Sequence, residues 1–252
     1  DLRQLIRYEN NHGNGFPATR LIQFSIDIAR GMGYLHEIEL IHCDLKLENI
    51  FVCADYSCRV ADLGLAVEAG MTCDEPIGTL PYCPPEMVLG RSNRISFAVD
   101  IYAYGICLWE LFHQQTAHEN VPREGFTAIA QRKERPPISE DYRAYLPELV
   151  TLIESAWHED PVERPSFDEI LIDLRKIQKK LQMYDRQFKA ENPLLFLEDD
   201  GHHITDLPLN GKIQTKRSWS LELTKRQKEQ QRYRDVVKKV QLQREQQQTP
   251  SS

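Results

Sequence analysis

The 252-residue chain has no run of the ~18 apolar residues that a membrane-crossing helix requires, which excludes that reading. Its most apolar stretch, residues 99–112, is too short and carries Asp100 and Glu110, so it reads as a buried helix of a soluble protein. No basic and apolar leader opens the chain, and it begins on Asp1 rather than Met, so the expectation is a piece cut or processed from something longer. The six cysteines, at 43, 53, 58, 73, 83 and 107, fall at no paired metal-ligand spacing. Without a secretory leader they are expected to be reduced thiols, and the protein cytoplasmic.

Positive charge is scarce in the body and concentrated in the tail. Residues 211–248 hold eleven Lys/Arg and four Asp/Glu, leaving 20 basic and 34 acidic residues elsewhere. Such a split suits a tail docked electrostatically on the body or reserved for an acidic partner.

The 41% apolar content can fill the core of one large domain. Residues 1–8 follow a helical pattern, and residues 10–17 form a turn-rich loop. Leu21, Phe24, Ile28, Met32 and Leu35 recur at spacings of three and four, the stripe of an amphipathic helix over 19–37. Runs at 50–53 and 58–61 flank a turn and predict a small hairpin. Helices are expected from 99, over 123–131 and 145–157, and from 167 to about 189, the last with Ile170, Leu174, Ile177 and Leu181 on one face. Two glycine clusters, at 13–15 and 31–33, superficially suggest a phosphate loop. The first sits in a polar turn and the second is expected to end a helix, so both read as loop or packing positions. The reading divides the chain into a domain over 1–185, a linker over 186–217, and a basic, Gln-rich helical tail over 218–248. That tail suits a helical partner better than nucleic acid, for which it carries no known motif.

Residues 41–52 read Ile-His-Cys-Asp-Leu-Lys-Leu-Glu-Asn-Ile-Phe-Val and put one carboxylate (Asp44), one ammonium (Lys46) and one amide (Asn49) on a short loop between apolar flanks. A site handling phosphate and a divalent metal needs those groups. Thirteen residues after Asn49 comes a second carboxylate, Asp62, followed by Leu63 and Gly64; Pro84-Pro85-Glu86 lies further on. Three motifs in this order resemble the large, C-terminal lobe of a eukaryotic protein kinase, with its catalytic loop, its metal-binding Asp-Phe-Gly turn and its Ala-Pro-Glu segment end.

The resemblance implies a mainly α fold with small β-hairpins, and the tyrosine-kinase-like group of serine/threonine kinases. It implies Asp44 as catalytic base, Lys46 as stabiliser of the transferred phosphoryl group, and Asn49 and Asp62 as ligands of Mg²⁺ against ATP. Lys46 together with Thr79, in Gly-Thr-x-x-Tyr-x-x-Pro-Glu, implies a protein Ser/Thr substrate positioned near Thr79. Structural roles are implied for His42 as a packing residue, for Asp100 holding the catalytic-loop backbone, and for an interior pair between Glu86 and Arg164. The glycine-rich strands and the strand Lys of the family's small lobe do not occur in these 252 residues, so the fragment alone is expected to be inactive. The alternative is a truncated pseudokinase or interaction module.

Each motif departs from the family at one position. Cys43 stands where an Arg pairs with a phosphorylated activation segment, and cysteine cannot form that bidentate pair; activity is therefore expected not to need a phosphate read through residue 43. Cys43, Cys73 and Cys83 admit a redox reading, though structural thiols are commoner. Leu63 replaces Phe and is expected to pack near His42, while Pro84 replaces Ala and stiffens the approach to Glu86.

Overall fold

The structure is a computed structural model that describes residues 1–13, 15–73 and 76–191. Of the linker and tail expected over 186–248, residues 192–248 lie outside the described residues. The elements run α1 (Leu2–Asn11), α2 (Ala18–Glu37), β1 (Leu40–Ile41), β2 (Ile50–Val52), β3 (Cys58–Val60), β4 (Val67–Glu68), α3 (Pro85–Val88), α4 (Ala98–His113), α5 (Gly125–Arg132), α6 (Glu140–Tyr145), α7 (Pro147–Ala156) and α8 (Phe167–Glu191). The fold is mainly helical, with two small antiparallel ribbons. None of the described helices is long and apolar enough to cross a membrane.

Helix α4 is the axis of the core. Every residue from Val99 to Phe112 is buried, including Asp100 and Glu110. Against it pack α2 and α7, and α8 packs in turn on those two, with the expected stripe of α2 turned inward and Ile170, Leu174, Ile177 and Leu181 of α8 fully buried. At Gly105 an added Cβ would lie 3.0 Å from the Trp157 amide nitrogen and 3.1 Å from Ala156 Cβ. Glycine there lets α4 and the end of α7 approach more closely than side chains would allow.

The hairpin forms as the two runs flanking a turn predict, with Ile50 opposite Val60 and Val52 opposite Cys58. A second pairing, Leu40 with Glu68 and Ile41 with Val67, joins segments 27 residues apart and leaves no sequence signal because each strand is only two residues long. The helix expected over 145–157 is α7, and a short helix that the sequence reading did not expect, α6, ends just before it at Tyr145. They part at Leu146, whose φ of −135° and ψ of 56° are not helical because Pro147 follows.

The cluster at 31–33 was expected to end a helix but lies inside one, since α2 runs on to Glu37. Gly31 instead faces β3, where an added Cβ would fall 2.8 Å from Val60 Cγ2, so it serves close helix-to-hairpin packing.

Candidate active site

The loop over 42–49 connects β1 to β2 and is pinned from below by α4. Asp100 Oδ2 accepts from the His42 amide at 2.8 Å and Oδ1 from the Cys43 amide at 2.9 Å. The His36 ring meets the same Oδ2 at 3.0 Å. Cys43 has a φ of +65°, an uncommon conformation for a non-glycine residue that costs about 1–3 kcal/mol. Two charge-assisted bonds to one buried carboxylate offset that cost and fix the turn that delivers Asp44.

His42 is fully buried and uses both ring nitrogens. Nε2 lies 3.0 Å from the Ala61 carbonyl and Nδ1 accepts from the Asp44 amide at 3.3 Å, an arrangement that needs the proton on Nε2. The ring thus joins the loop to the strand end before Asp62, leaving no nitrogen for proton transfer.

Around Asp44 the polar groups converge. Its Oδ1 accepts from Thr79 Oγ1 at 2.6 Å; its Oδ2 accepts from Lys46 Nζ at 2.6 Å and Asn49 Nδ2 at 3.2 Å. Lys46 Nζ also donates to Thr79 Oγ1 at 2.8 Å, closing a three-membered ring of side chains. Thr79 reaches this place because Gly78, at φ +90°, passes directly over the loop: a Cβ there would sit 2.2 Å from the Cys43 carbonyl oxygen.

Asn49 is buried, and its amide nitrogen donates to both the Asp44 carbonyl (2.9 Å) and the Asp44 carboxylate. That use of the nitrogen makes the amide oxygen the end that could hold a metal. The Ala61 amide donates to the Asn49 carbonyl at 2.9 Å, which brings the next residue, Asp62, beside the loop. Asp62 is exposed, has a φ of +63°, and accepts from the Gly64 amide at 3.3 Å.

Leu63 does not pack near His42. It is 48% exposed, and its positive-φ neighbour turns the chain outward toward a hollow lined also by Tyr34, Leu35 and Val60.

Below the segment that carries Thr79 lies a buried charged cluster that the sequence reading missed. Arg3 pairs with Glu110 and donates to Tyr82 Oη at 2.7 Å and Glu48 Oε1 at 3.1 Å; Tyr82 donates to Glu110 Oε2 at 2.9 Å. Burial works against the Arg3 charge, yet Tyr82, Glu110 and Glu48 hold its pKa above the ordinary guanidinium value. Burial likewise pushes the Tyr82 hydroxyl and the Glu110 carboxyl up. The cluster ties α1, α4, the 42–49 loop and the 79–83 segment together. A glutamate inside the most apolar helix was its one visible signal.

Arg164 makes a two-pronged pair with Glu86, both bonds 2.8 Å, and donates to the Ala98 and His158 carbonyls at 2.9 Å. Cys43 enters a different environment, an apolar cluster with Ile41, Cys83, Met87, Ile95 and Val99. Burial pushes the thiols of Cys43 and Cys83 up to about 12, which makes them poor nucleophiles.

The family model described as protein tyrosine and serine/threonine kinase matches residues 1–174, and the chain belongs to that family. Among its relatives are a probable LIM domain-containing serine/threonine-protein kinase of Dictyostelium discoideum, 34% identical over 171 residues, and a serine/threonine-protein kinase of Arabidopsis thaliana, 32% identical over 170. Each alignment covers 66% of this chain, and 26% and 28% of those relatives. A serine/threonine/tyrosine-protein kinase of Arabidopsis thaliana is 33% identical over 178 residues, 69% of this chain and 42% of that protein. The chain therefore spans about a quarter to two fifths of these three relatives.

Among the described residues no three or more His, Cys, Asp or Glu side chains gather as a metal cluster.

Proposed function

We propose that this chain is the catalytic large lobe of a serine/threonine kinase of the tyrosine-kinase-like group, transferring the γ-phosphoryl of ATP to a protein hydroxyl. The observation that carries the reading is the shared bonding of Asp44, Lys46 and Thr79. An acceptor hydroxyl entering where Thr79 Oγ1 now meets Asp44 Oδ1 would give its proton to that oxygen, with Asn49 and Lys46 orienting the carboxylate through Oδ2. Lys46, 2.6 Å from Asp44, lies close enough to neutralise charge as the phosphoryl group moves. The amide oxygen of Asn49 and the carboxylate of Asp62 would hold Mg²⁺, which when bound neutralises charge on the nucleotide phosphates. Substrate selection falls to the 79–83 segment, which rests on the Arg3, Tyr82 and Glu110 cluster.

Lys46 and Thr79 favour a Ser or Thr acceptor. Phosphoamino-acid analysis of a mixed peptide library treated with the full-length gene product and ATP is expected to return phosphoserine and phosphothreonine. Phosphotyrosine as the main product would refute the acceptor assignment.

The rival reading, an interaction module, draws support from the exposed Phe51, Leu63 and Leu65 on the hairpin side of the site. A small lobe seated on the same face would cover the same residues, so the exposure suits the kinase reading equally. On either reading, residues 1–252 alone should transfer negligible phosphate, because no glycine-rich nucleotide loop occurs in them.

A further inference from the structure

Behind the 42–49 loop, a hollow of about 640 Å³ lies between the C-terminal end of α2, the start of α4 and the start of α8. None of Asp44, Lys46, Asn49, Asp62 or Thr79 lines it. Its wall is apolar and aromatic: Phe97, Ile101, Pro161, Pro165, Phe167 and Leu171. The His36 ring stands among them, its centroid 4.5 Å from that of Phe97 and 4.9 Å from that of Phe167. Through His36 the hollow adjoins the Asp100 carboxylate that holds the loop.

Charge at the rim is unbalanced. Glu37 and Asp168 line the hollow, are exposed, and make no ion pair among the described residues. Of the two arginines that line it, Arg164 is committed to Glu86, which leaves Arg30 as a single counter-charge to two carboxylates. An occupant that matches this hollow carries a flat apolar group for the aromatic wall and more than one cation for the rim.

The chain itself supplies such a segment. Residues 212–219, outside the described residues, read Lys-Ile-Gln-Thr-Lys-Arg-Ser-Trp: three cations, no acid, and the apolar side chains of Ile213 and Trp219. Residues 192–211 hold four acids and no Lys or Arg, the wrong sign for the rim, and residues 220–248 hold no tryptophan and interleave their cations with acids. Helix α8 is 25 residues long, so its end lies about 37 Å from the hollow at its start. The twenty residues from 192 to 211 can span about 66 Å, enough to return.

We propose that residues 212–219 dock in this hollow of their own chain, with Trp219 against Phe97 and Phe167, and with Lys212, Lys216 and Arg217 toward Glu37 and Asp168. The indole supplies the apolar burial, and the cations, weak singly at an exposed rim, set the orientation. The proposal does not depend on the catalytic competence of Asp44.

Two measurements on the full-length gene product test it. Carbodiimide joins a lysine only to a carboxylate in contact with it. Applied at low salt to a mixture of isotopically light and heavy protein, and read by peptide mass spectrometry, it is expected to join Lys212 or Lys216 to Glu37 or Asp168 within one copy. Links spread over other carboxylates, links only between copies, or no link from these lysines would overturn the proposal. With fluorotryptophan incorporated, the ¹⁹F resonance of Trp219, identified by its loss in Trp219→Phe, reads the docking directly. Raised salt screens the rim, and Glu37→Lys with Asp168→Lys reverses it; each is expected to move the resonance toward that of a solvated indole. The double variant should weaken docking by about tenfold. A Trp219 resonance that the double variant leaves in place would refute the site.

Discussion

Cys43 shows how one side chain redirects its surroundings. The position holds an Arg in the family's usual motif, and a cation there would need a polar pocket. Here the neighbours are Ile41, Cys83, Met87, Ile95 and Val99, and the backbone is held by Asp100 instead. The substitution was legible in the sequence; the apolar cluster was not, because its members come from three separate stretches. Burial pushes the Cys43 and Cys83 thiols up to about 12, and raises those of Cys58 and Cys107 as well. Cys53 alone is exposed, and Cys73 is half-buried. Brief treatment of the native protein with a maleimide should therefore label Cys53 first and leave 43, 58, 83 and 107 unmodified until denaturant is added. Rapid native labelling of Cys43 would revive the redox reading.

At the scale of elements, long periodic helices were readable and short joints were not. The stripe of α2, the apolar run of α4 and the inward face of α8 each span several turns, so their period identifies them. The β1–β4 ribbon and the break at Leu146 depend on pairings or neighbours that no periodicity encodes. The site followed the same rule: Asp44, Lys46 and Asn49 share one loop and could be read together. The approach of Thr79 depends on Gly78 crossing Cys43, and the Arg3 cluster joins residues up to 107 positions apart.

Arg164 joins α3, α4 and the entry to α8 through Glu86 and the Ala98 carbonyl. Its side chain is fully buried and that of Glu86 is 13% exposed, so Arg164→Met leaves a largely buried carboxylate without its partner. The expected loss is about 3 kcal/mol, toward the low end for a broken buried pair because Glu86 keeps some access to water. Urea denaturation of the variant measures it, and a loss under ~1 kcal/mol would show the pair to be dispensable.

For the whole molecule, the helical body should weaken in mild acid. His113 donates from Nδ1 to the Trp109 carbonyl at 2.9 Å and accepts from the Ser139 amide on Nε2 at 3.1 Å, so the fold requires its neutral ring. Burial lowers its pKa, and burial also lowers that of His118. The unfolded chain then binds protons first: stability is complete above the ordinary histidine value near 6.5 and falls as pH drops toward the lowered folded value. Melting temperatures between pH 7.5 and 5 should decline, and His113→Gln, which can still donate and accept, should flatten the decline. An unchanged slope in that variant would remove His113 from the explanation.

Asp44 is the carboxylate on which Thr79, Lys46 and Asn49 converge. The most direct measurement is transfer of radiolabelled γ-phosphate from Mg-ATP to a Ser/Thr protein substrate by the full-length gene product, compared with its Asp44→Asn variant. The amide preserves the shape of the side chain but cannot take the proton, so transfer should fall by about 10²–10⁴-fold while the melting temperature changes little. Equal transfer by both proteins, or none by the unaltered one, would contradict the account.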